Sequence, residues 1–574
     1  MSEPFKEANI LEKAHAQGGI KKVLIFSRIS GPGIWLTLAA LSAGSLIGSL
    51  GLGQWLGTEA LWVQASAMLL GIFSLWAVSQ ISLNTQQSLF SLMKNEWNPS
   101  LAWWFAGSAL VTNFAWCMPQ FRFGAEITGS VLFPALDNKG GKIGVAFVML
   151  CLSIFLSFWY ERSGLHSKLF QWILRLILLS LLICLGASVC LLIPASNLSL
   201  SNIFSGFLPD LNHLTTISPR FESLLAQTGE FRSFWEENLI SRQKELILIT
   251  FSSTLGVNLL FSLPLLLLGR GWRRRHNQFA KFNLFFGLFI PFVLCSSCLT
   301  VLSAIAHQKM IDSLSEEAGS KIVYSASESE TISTLLRERI IFEMGNEQFE
   351  MLPPFQQDEK IESLSKPNYI LAHLVSQSNA KKWIHYLSNA GKEPVQYLLG
   401  IVVLLISFST IVILMVLNGH LICEILGKPH KGAPFQTGSL LLAVSSVGPF
   451  VWSDQDGWVA DPSYFLSLVI LPYLLLSFLF MLNNKELLGR QCPQGIKGFT
   501  LNLGVCLSFL LLGSSSFYLV WNHFWGSFPV GQALVVLIGL IILIGYFSLK
   551  NKKLSQRLKG LEARLDRVDQ LTSK

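Results

Sequence analysis

Long apolar segments recur through most of this 574-residue chain, and they restrict its fold more than any other feature. About 20 apolar residues suffice for a helix to cross the roughly 30 Å hydrocarbon core of a bilayer. One such segment also suits the core of a soluble protein, but a series of about a dozen does not. Only 14% of the residues are charged, against about a quarter in soluble domains. The sequence therefore predicts an all-α, polytopic membrane protein.

We predict about 12 transmembrane helices from the apolar segments. They lie near 32–54, 59–83, 101–136, 143–160, 168–194, 246–268, 282–306, 396–421, 437–453, 463–483, 498–520 and 529–549. The third segment is too long for one straight crossing. Pro119 is expected to break or tilt it, because proline removes a helix hydrogen bond. Two polar insertions, about 196–244 and 307–393, interrupt the series.

The distribution of Lys and Arg between alternate loops predicts the orientation. With the N-terminus in the cytoplasm, the cytoplasmic loops hold the basic clusters. The short external loops at 55–58, 454–462 and 521–528 contain neither Lys nor Arg. Both termini are then cytoplasmic, and we expect an integral protein of the plasma membrane, the inner membrane of a bacterium. The net charge of +8 reflects this bias, so it indicates contact with the lipid bilayer and not nucleic-acid binding.

No cofactor and no enzymatic activity are expected. The sequence contains no zinc-binding HExxH motif, no nucleophile elbow and no phosphate-binding glycine loop. The tail, 550–574, has apolar residues in a four–three spacing, at Leu554, Leu558, Leu561, Leu565 and Val568. Roughly two heptads are too few for a stable coiled coil. An amphipathic helix on the inner leaflet and a self-association contact are equal alternatives for this tail.

Two predicted spans carry small, polar or helix-breaking residues near their middle. The first contains Ser42, Gly44 and Ser45, and the sixth contains Asn258 and Ser262. Backbone groups freed by an interrupted membrane helix must be satisfied locally, so interruptions line cavities in transporters with inverted repeats. These residues are the candidate ion- or substrate-binding residues. Close helix packing through small residues is an alternative that this pattern favours equally.

Ionisable residues in the spans form two i,i+4 pairs, which place both partners on one helix face. Arg122 and Glu126 lie in the third predicted span, and His420 and Glu424 close the eighth. Charges at membrane depth are costly, so both pairs are candidates for a gate or a proton pathway. The alternatives are a structural ion pair near the outer interface for the first pair, and a solvated helix end for the second.

Several short segments resemble the Nramp family of divalent-metal transporters, over roughly 30–520 with both insertions unmatched. They are Gly31–Gly33, Trp62, Gly271–Arg275, Asn418–Glu424 and Asn483–Gly489. The resemblance implies a LeuT-like fold, with two inverted five-helix repeats followed here by two extra C-terminal helices. It also implies secondary transport of a small cation, by alternating access at breaks in the first and sixth spans. The coupling ion would be H⁺ or Na⁺.

The expected domain organisation follows from this resemblance. It comprises a cytoplasmic N-terminal segment (1–30), the first repeat (31–195), an extracytoplasmic insertion (196–245), the second repeat (246–490) containing the insertion 307–393, two additional helices (491–549) and a cytoplasmic amphipathic tail (550–574).

The metal-binding motifs of the family are missing from this chain. The family's Asp-Pro-Gly-Asn is replaced by Ser-Ala-Gly-Ser at 42–45, and its Met-Pro-His by Leu-Phe-Ser at 260–262. Soft thioether ligands favour transition ions, whereas neutral oxygens suit hard ions such as Mg²⁺ and Na⁺. The metal ligands are thus unknown, and we expect a harder cation as substrate. The alternative is a transport-inactive, Nramp-derived sensor or scaffold that acts through the insertion 307–393 and the tail.

Overall fold

Helices form most of the chain that the computed structural model describes, which is residues 31–162, 165–195, 198–316, 326–376, 393–447, 457–523 and 528–572. The helices of the first half are α1 (Gly33–Ala40), α2 (Ala43–Leu56), α3 (Leu61–Thr85), α4 (Leu89–Leu92), α5 (Pro99–Ile127), α6 (Lys139–Glu161), α7 (Leu165–Leu192), α8 (Leu200–Ser205), α9 (Glu222–Leu225), α10 (Arg232–Ser253), α11 (Val257–Gly269), α12 (Asn277–Leu284) and α13 (Ile290–Glu316). Those of the second half are α14 (Ala326–Met344), α15 (Asn346–Glu350), α16 (Pro354–Glu362), α17 (Lys366–Ser376), α18 (Glu393–Leu426), α19 (Ala433–Leu441), α20 (Gly457–Asn483), α21 (Gly495–Ser508), α22 (Ser514–Trp521) and α23 (Val530–Thr572). A single helical turn, Lys485–Leu488, lies between α20 and α21.

Nine helices or continuous helical runs in these ranges are long and apolar enough to cross a membrane. One run, Gly44–Thr85, covers α2 and α3 together, and another, Pro219–Gly269, covers α10 and α11. The helix α5, with 29 residues, is also long enough to span. The protein is therefore an all-α, polytopic membrane protein, as the sequence predicts.

The first and sixth predicted spans are each divided into two helices. Leu41 and Ser42 separate α1 from α2, and Ser42 is extended, with φ −66° and ψ −179°. Residues 254–256 separate α10 from α11, and Gly256 is extended as well, with φ −68° and ψ 144°. Because a helix end leaves backbone amides and carbonyls without helical partners, each break exposes polar backbone inside the bundle.

Pro119 does not break the third predicted span. The helix α5 continues through Pro119 to Ile127, and the chain then forms a π-helical turn at Thr128–Leu132. Membrane helices tolerate an internal proline, because neighbouring groups and local adjustments satisfy the carbonyl that it frees. The excess length of the segment is thus accommodated at its end and not at its proline.

Close contacts with α12 and α13 fix both halves of the divided first span. The Gly33 amide at the start of α1 donates to Asn283 Oδ1 at 2.8 Å. Ser303 Oγ on α13 donates to the carbonyl of Leu50 at 2.5 Å. At Gly53 the helices α2 and α13 are so close that an added Cβ would lie 2.2 Å from the carbonyl oxygen of Thr300. Only glycine permits this approach.

The two polar insertions fold together into a cap, residues 198–244 and 326–376. Its apolar core joins Phe221 and Trp235 of the first insertion to Leu336 and Leu371 of the second. Leu52, Trp55, Leu56, Ala60, Trp62 and Val63 near the junction of α2 and α3 belong to the same core. Trp235 Nε1 also donates to Asn368 Oδ1 at 2.7 Å across the two insertions. The cap therefore packs on the end of α2 that is distant from its break.

Arg220 of the cap is bonded to the end of α2 and to a carbonyl within α13. Its Nη1 donates to the carbonyls of Gly53 at 2.8 Å and Gln54 at 3.1 Å, and its Nη2 to the carbonyl of Ala304 at 2.8 Å. Gly53 and Gln54 lie in the last turn of α2, where a cation suits the negative end of the helix dipole. Arg220 thereby couples the cap to α2 and α13.

We expect Arg220→Met to destabilise the protein by about 2–3 kcal/mol, because hydrogen bonds to a charged donor contribute on this order. Thermal unfolding of the purified protein measures the loss, and proteolysis reports release of the cap. Arg232→Met is the matched control, since Arg232 forms exposed ion pairs, with Glu222 at 2.8 Å and with Glu236 at 3.6 Å. Equal effects of the two substitutions would contradict the coupling role.

Candidate functional site

A small cavity lies where the two helix breaks meet. Its volume is about 70 Å³, which is enough for several water molecules or a partly hydrated small ion. It is lined by residues 39–40, 42, 44–45 and 252–259 around the breaks, and by Thr112, Trp116, Leu414, Leu417, Ser467, Leu468 and Leu471 from α5, α18 and α20. The breaks thus form one shared site with three other membrane helices.

The polar groups of this cavity are neutral. Among the described residues that line it, none is acidic, basic or a histidine. The side-chain oxygens come from serine and threonine hydroxyls and from Asn258. Asn258 Oδ1 is buried and has no hydrogen-bond partner among the described residues. A buried acceptor without a partner is costly, so this oxygen favours a cation or a water molecule in the cavity.

Three of the predicted binding residues shape the first break. Ser45 Oγ donates to the carbonyl of Ala40, and it also lies 3.2 Å from the carbonyl of Ser42. These bonds connect the start of α2 to the end of α1 across the break. At Gly44, an added Cβ would lie 2.8 Å from the ring of Trp116, so this ring closes directly over the helix end.

The structure separates the five candidate binding residues into two groups. Ser42, Gly44, Ser45 and Asn258 all line the cavity. Ser262 does not belong to that lining, since its side chain is fully buried one turn further along α11. Its hydroxyl donates to the carbonyl of Leu259 at 3.1 Å, as serines within helices often do.

Sequence reasoning missed the residues that α5, α10 and α20 contribute. Thr112 Oγ1 and Ser467 Oγ lie 2.5 Å apart in the cavity wall, although 355 positions separate them in the chain. Ser252 and Ser253 line the cavity from the last turn of α10. Single hydroxyl residues in apolar helices carry no pattern that distinguishes them from packing residues, so the sequence offered no signal for them.

The predicted pair of Arg122 and Glu126 lies away from this cavity. Arg122 Nε is 3.1 Å from Glu126 Oε1, and the Arg122 side chain is buried. The pair is close to a small apolar group formed by Phe123, Ile127 and Val403. Neither charged residue contributes to the lining of the cavity, so any part in gating would act through the position of α5.

His420 and Glu424 are connected through a third residue, which the sequence did not predict. His430, in the loop after α18, places its Nδ1 3.1 Å from His420 Nδ1 and its Nε2 3.0 Å from Glu424 Oε1. The hydroxyl of Ser88 donates to Glu424 Oε2, and that of Tyr160 lies 3.4 Å from His420 Nε2. These side chains form a hydrogen-bonded chain between the ends of three membrane segments.

A transition-metal site of the usual composition is not found in the described ranges. No group of three or more His, Cys, Asp or Glu side chains there could hold a metal ion. The His420–His430 contact supplies two imidazoles, and the other nitrogens of these rings face Tyr160 and Glu424. The donor chemistry of the break cavity is therefore limited to neutral oxygen atoms and backbone groups.

Comparison with solved structures finds proteins that share this helical fold. Two crystal structures of variants of the manganese transporter from Eremococcus coleocola match with a TM-score of 0.58, 12% sequence identity, and coverage of 93% of this chain and 96% of the other. A third variant matches over the same shares, with a TM-score of 0.55 and 12% identity. No protein-family model and no curated protein matches the sequence. The chain thus shares the helical membrane fold of that transporter, which supports the Nramp resemblance at the level of the fold.

Proposed function

We propose that this protein is a secondary transporter that moves a small cation through the cavity between its two helix breaks. The main support is that both breaks line one cavity with Ser, Thr and Asn side chains. In this cavity, Asn258 Oδ1 has no hydrogen-bond partner among the described residues. Broken helices that meet in a buried site are characteristic of transporters with alternating access. The expected repeats, 31–195 and 246–490, would contribute one break each. The fold shared with a manganese transporter supports the same class of function.

We infer that the substrate is a hard cation such as Mg²⁺ or Na⁺. Hydroxyl, amide and carbonyl oxygens are the ligands that hard cations prefer, and the described residues of the lining include no thioether or thiolate. The ends of α1 and α10 contribute carbonyl groups, which coordinate ions in other broken-helix transporters. Because the lining is neutral, a divalent ion would retain part of its hydration shell, and about 70 Å³ leaves room for that water.

Flux measurements on the purified full-length chain in liposomes test this proposal. We expect uptake of Mg²⁺ or Na⁺ well above that of protein-free liposomes, and weaker uptake of Mn²⁺. Repeating the assay at two pH values, with and without a Na⁺ gradient, identifies H⁺ or Na⁺ as the coupling ion. Preferential Mn²⁺ uptake would contradict the choice of a hard cation. Absence of flux for all three ions would contradict transport.

The second candidate function is a transport-inactive sensor or scaffold. It is favoured by the cap, whose apolar core is separate from the main core of the bundle, and by α23. This helix has 43 residues without interruption, which is more than one membrane crossing needs. Self-association through the tail would fit this role. The sensor hypothesis predicts no cation flux, and an altered phenotype when only the cap or only the tail is deleted. Substrate-dependent flux would eliminate it.

A further inference from the structure

A second and much larger cavity opens on the face of the protein that carries the basic loops. Its volume is about 840 Å³, within the range of sites for small organic ligands. It lies between α1, α4, α6, α7, α11 and α18, and it shares no lining residue with the cavity at the helix breaks. In the orientation inferred from the sequence, this cavity faces the cytoplasm.

Basic side chains from four parts of the chain line this cavity. They are Lys94, Arg162, Arg270, Lys428 and Lys431. The preference for Lys and Arg in cytoplasmic loops explains why these loops are basic, but it does not require their charges to surround one concave space. Like charges that converge in a concave site with apolar walls create a strong positive potential, and this potential attracts anions.

The acidic residues of the cavity are already engaged by other groups. Glu161 Oε2 accepts a hydrogen bond from Gln436 Nε2 at 3.0 Å, and its other oxygen accepts from a backbone amide. Glu424 faces His430 Nε2 at 3.0 Å and also accepts a hydrogen bond from a serine hydroxyl. Among the described residues, Lys428 and Lys431 form no ion pair. Among the described residues of the lining, the five basic side chains outnumber the two acidic ones, so the cavity has a net positive charge.

We propose that this cavity binds a phosphate-bearing anion. Arginine and lysine are the side chains that proteins use most for phosphate, and Arg162 and Arg270 provide planar donor groups for paired hydrogen bonds. The lining also includes Ile34, Trp35 and Leu266, which suit the apolar part of a larger ligand. An anionic phospholipid headgroup and a soluble phosphate compound share this chemistry, and separate binding measurements with each of them distinguish the two.

Binding is tested with the full-length chain in nanodiscs. Calorimetric titration with inorganic pyrophosphate, in phosphatidylcholine nanodiscs, detects a soluble ligand. Thermal unfolding in phosphatidylcholine compared with phosphatidylglycerol nanodiscs detects a headgroup. The test variant is K428Q/K431Q, because both lysines are exposed, in a loop, and free of ion pairs with described residues. The control is K485Q/K497Q, which removes the same charge from exposed lysines outside the cavity.

We expect K428Q/K431Q to weaken binding by about tenfold or more, since even one charge-assisted hydrogen bond contributes on this order. The control variant should bind like the wild type. Pyrophosphate binding lost in the test variant identifies a soluble phosphate ligand. Stabilisation by phosphatidylglycerol that is lost in the test variant identifies a lipid headgroup. If neither probe binds, or if both variants weaken binding equally, the proposal is overturned.

Discussion

Asn258→Leu is expected to cause a large loss of cation flux through the protein. Leucine keeps the branching of asparagine at Cγ, but it replaces the acceptor Oδ1, which has no hydrogen-bond partner among the described residues, with a methyl group. The substitution therefore removes a cation ligand and makes the wall of the cavity at the second break apolar. One such oxygen contributes about 1.5–3 kcal/mol to binding of a charged group, so we expect flux to fall by about tenfold to a hundredfold. The measurement is cation uptake into proteoliposomes.

A second substitution and a matched control separate this loss from misfolding. Ser42→Leu should abolish flux independently, because it fills the cavity from the first break. The control is Asn502→Leu, which removes an amide from α21 outside the cavity. Among the described residues, the Asn502 side chain bonds to Asn483, at 2.8 Å and 3.0 Å. This substitution should leave flux unchanged. All three proteins should elute as single species in size exclusion. Flux equal to wild type in both cavity variants would exclude this site.

Gly53→Val is expected to give the largest loss of stability. The added Cβ would lie 2.2 Å from the carbonyl oxygen of Thr300 and 2.7 Å from Cβ of Ser303, so α2 and α13 must separate. Backbone atoms of a packed helix cannot move aside as a flexible side chain can. Overpacking in a tight core costs about 1–3 kcal/mol, and we expect the upper end of this range or more. Thermal unfolding and the yield of monodisperse protein measure the effect.

Gly186→Val provides the control for this prediction. Gly186 also lies inside a membrane helix, α7, but an added Cβ there meets no atom within 4 Å. Both substitutions introduce the same β-branched residue into a helix, so their intrinsic helix propensities change equally. Gly186→Val should therefore unfold near the wild-type temperature. A similar shift in the two variants would show that the loss arises from helix propensity and not from the contact between α2 and α13.

The sequence by itself determined the class of the protein and the approximate positions of its membrane helices. The length of an apolar segment is a local property, and the bilayer sets the same length requirement for each helix. The breaks at 41–42 and 254–256 were also visible as clusters of Ser, Thr, Gly and Asn in otherwise apolar segments. The break expected at Pro119 did not form, because neighbouring groups can compensate locally for a missing amide hydrogen.

Only the tertiary structure decided which polar groups share a site. Thr112 and Ser467 meet in the wall of the cavity although they are 355 positions apart in the chain. His430 connects His420 and Glu424, which the sequence predicted to be neighbours only from their i,i+4 spacing. The two insertions likewise form one cap through contacts between Trp235 and Asn368. Periodicity determines which residues share a face of one helix, but helix packing determines which faces meet. Those long-range contacts depend on the whole fold, and no local pattern in the sequence encodes them.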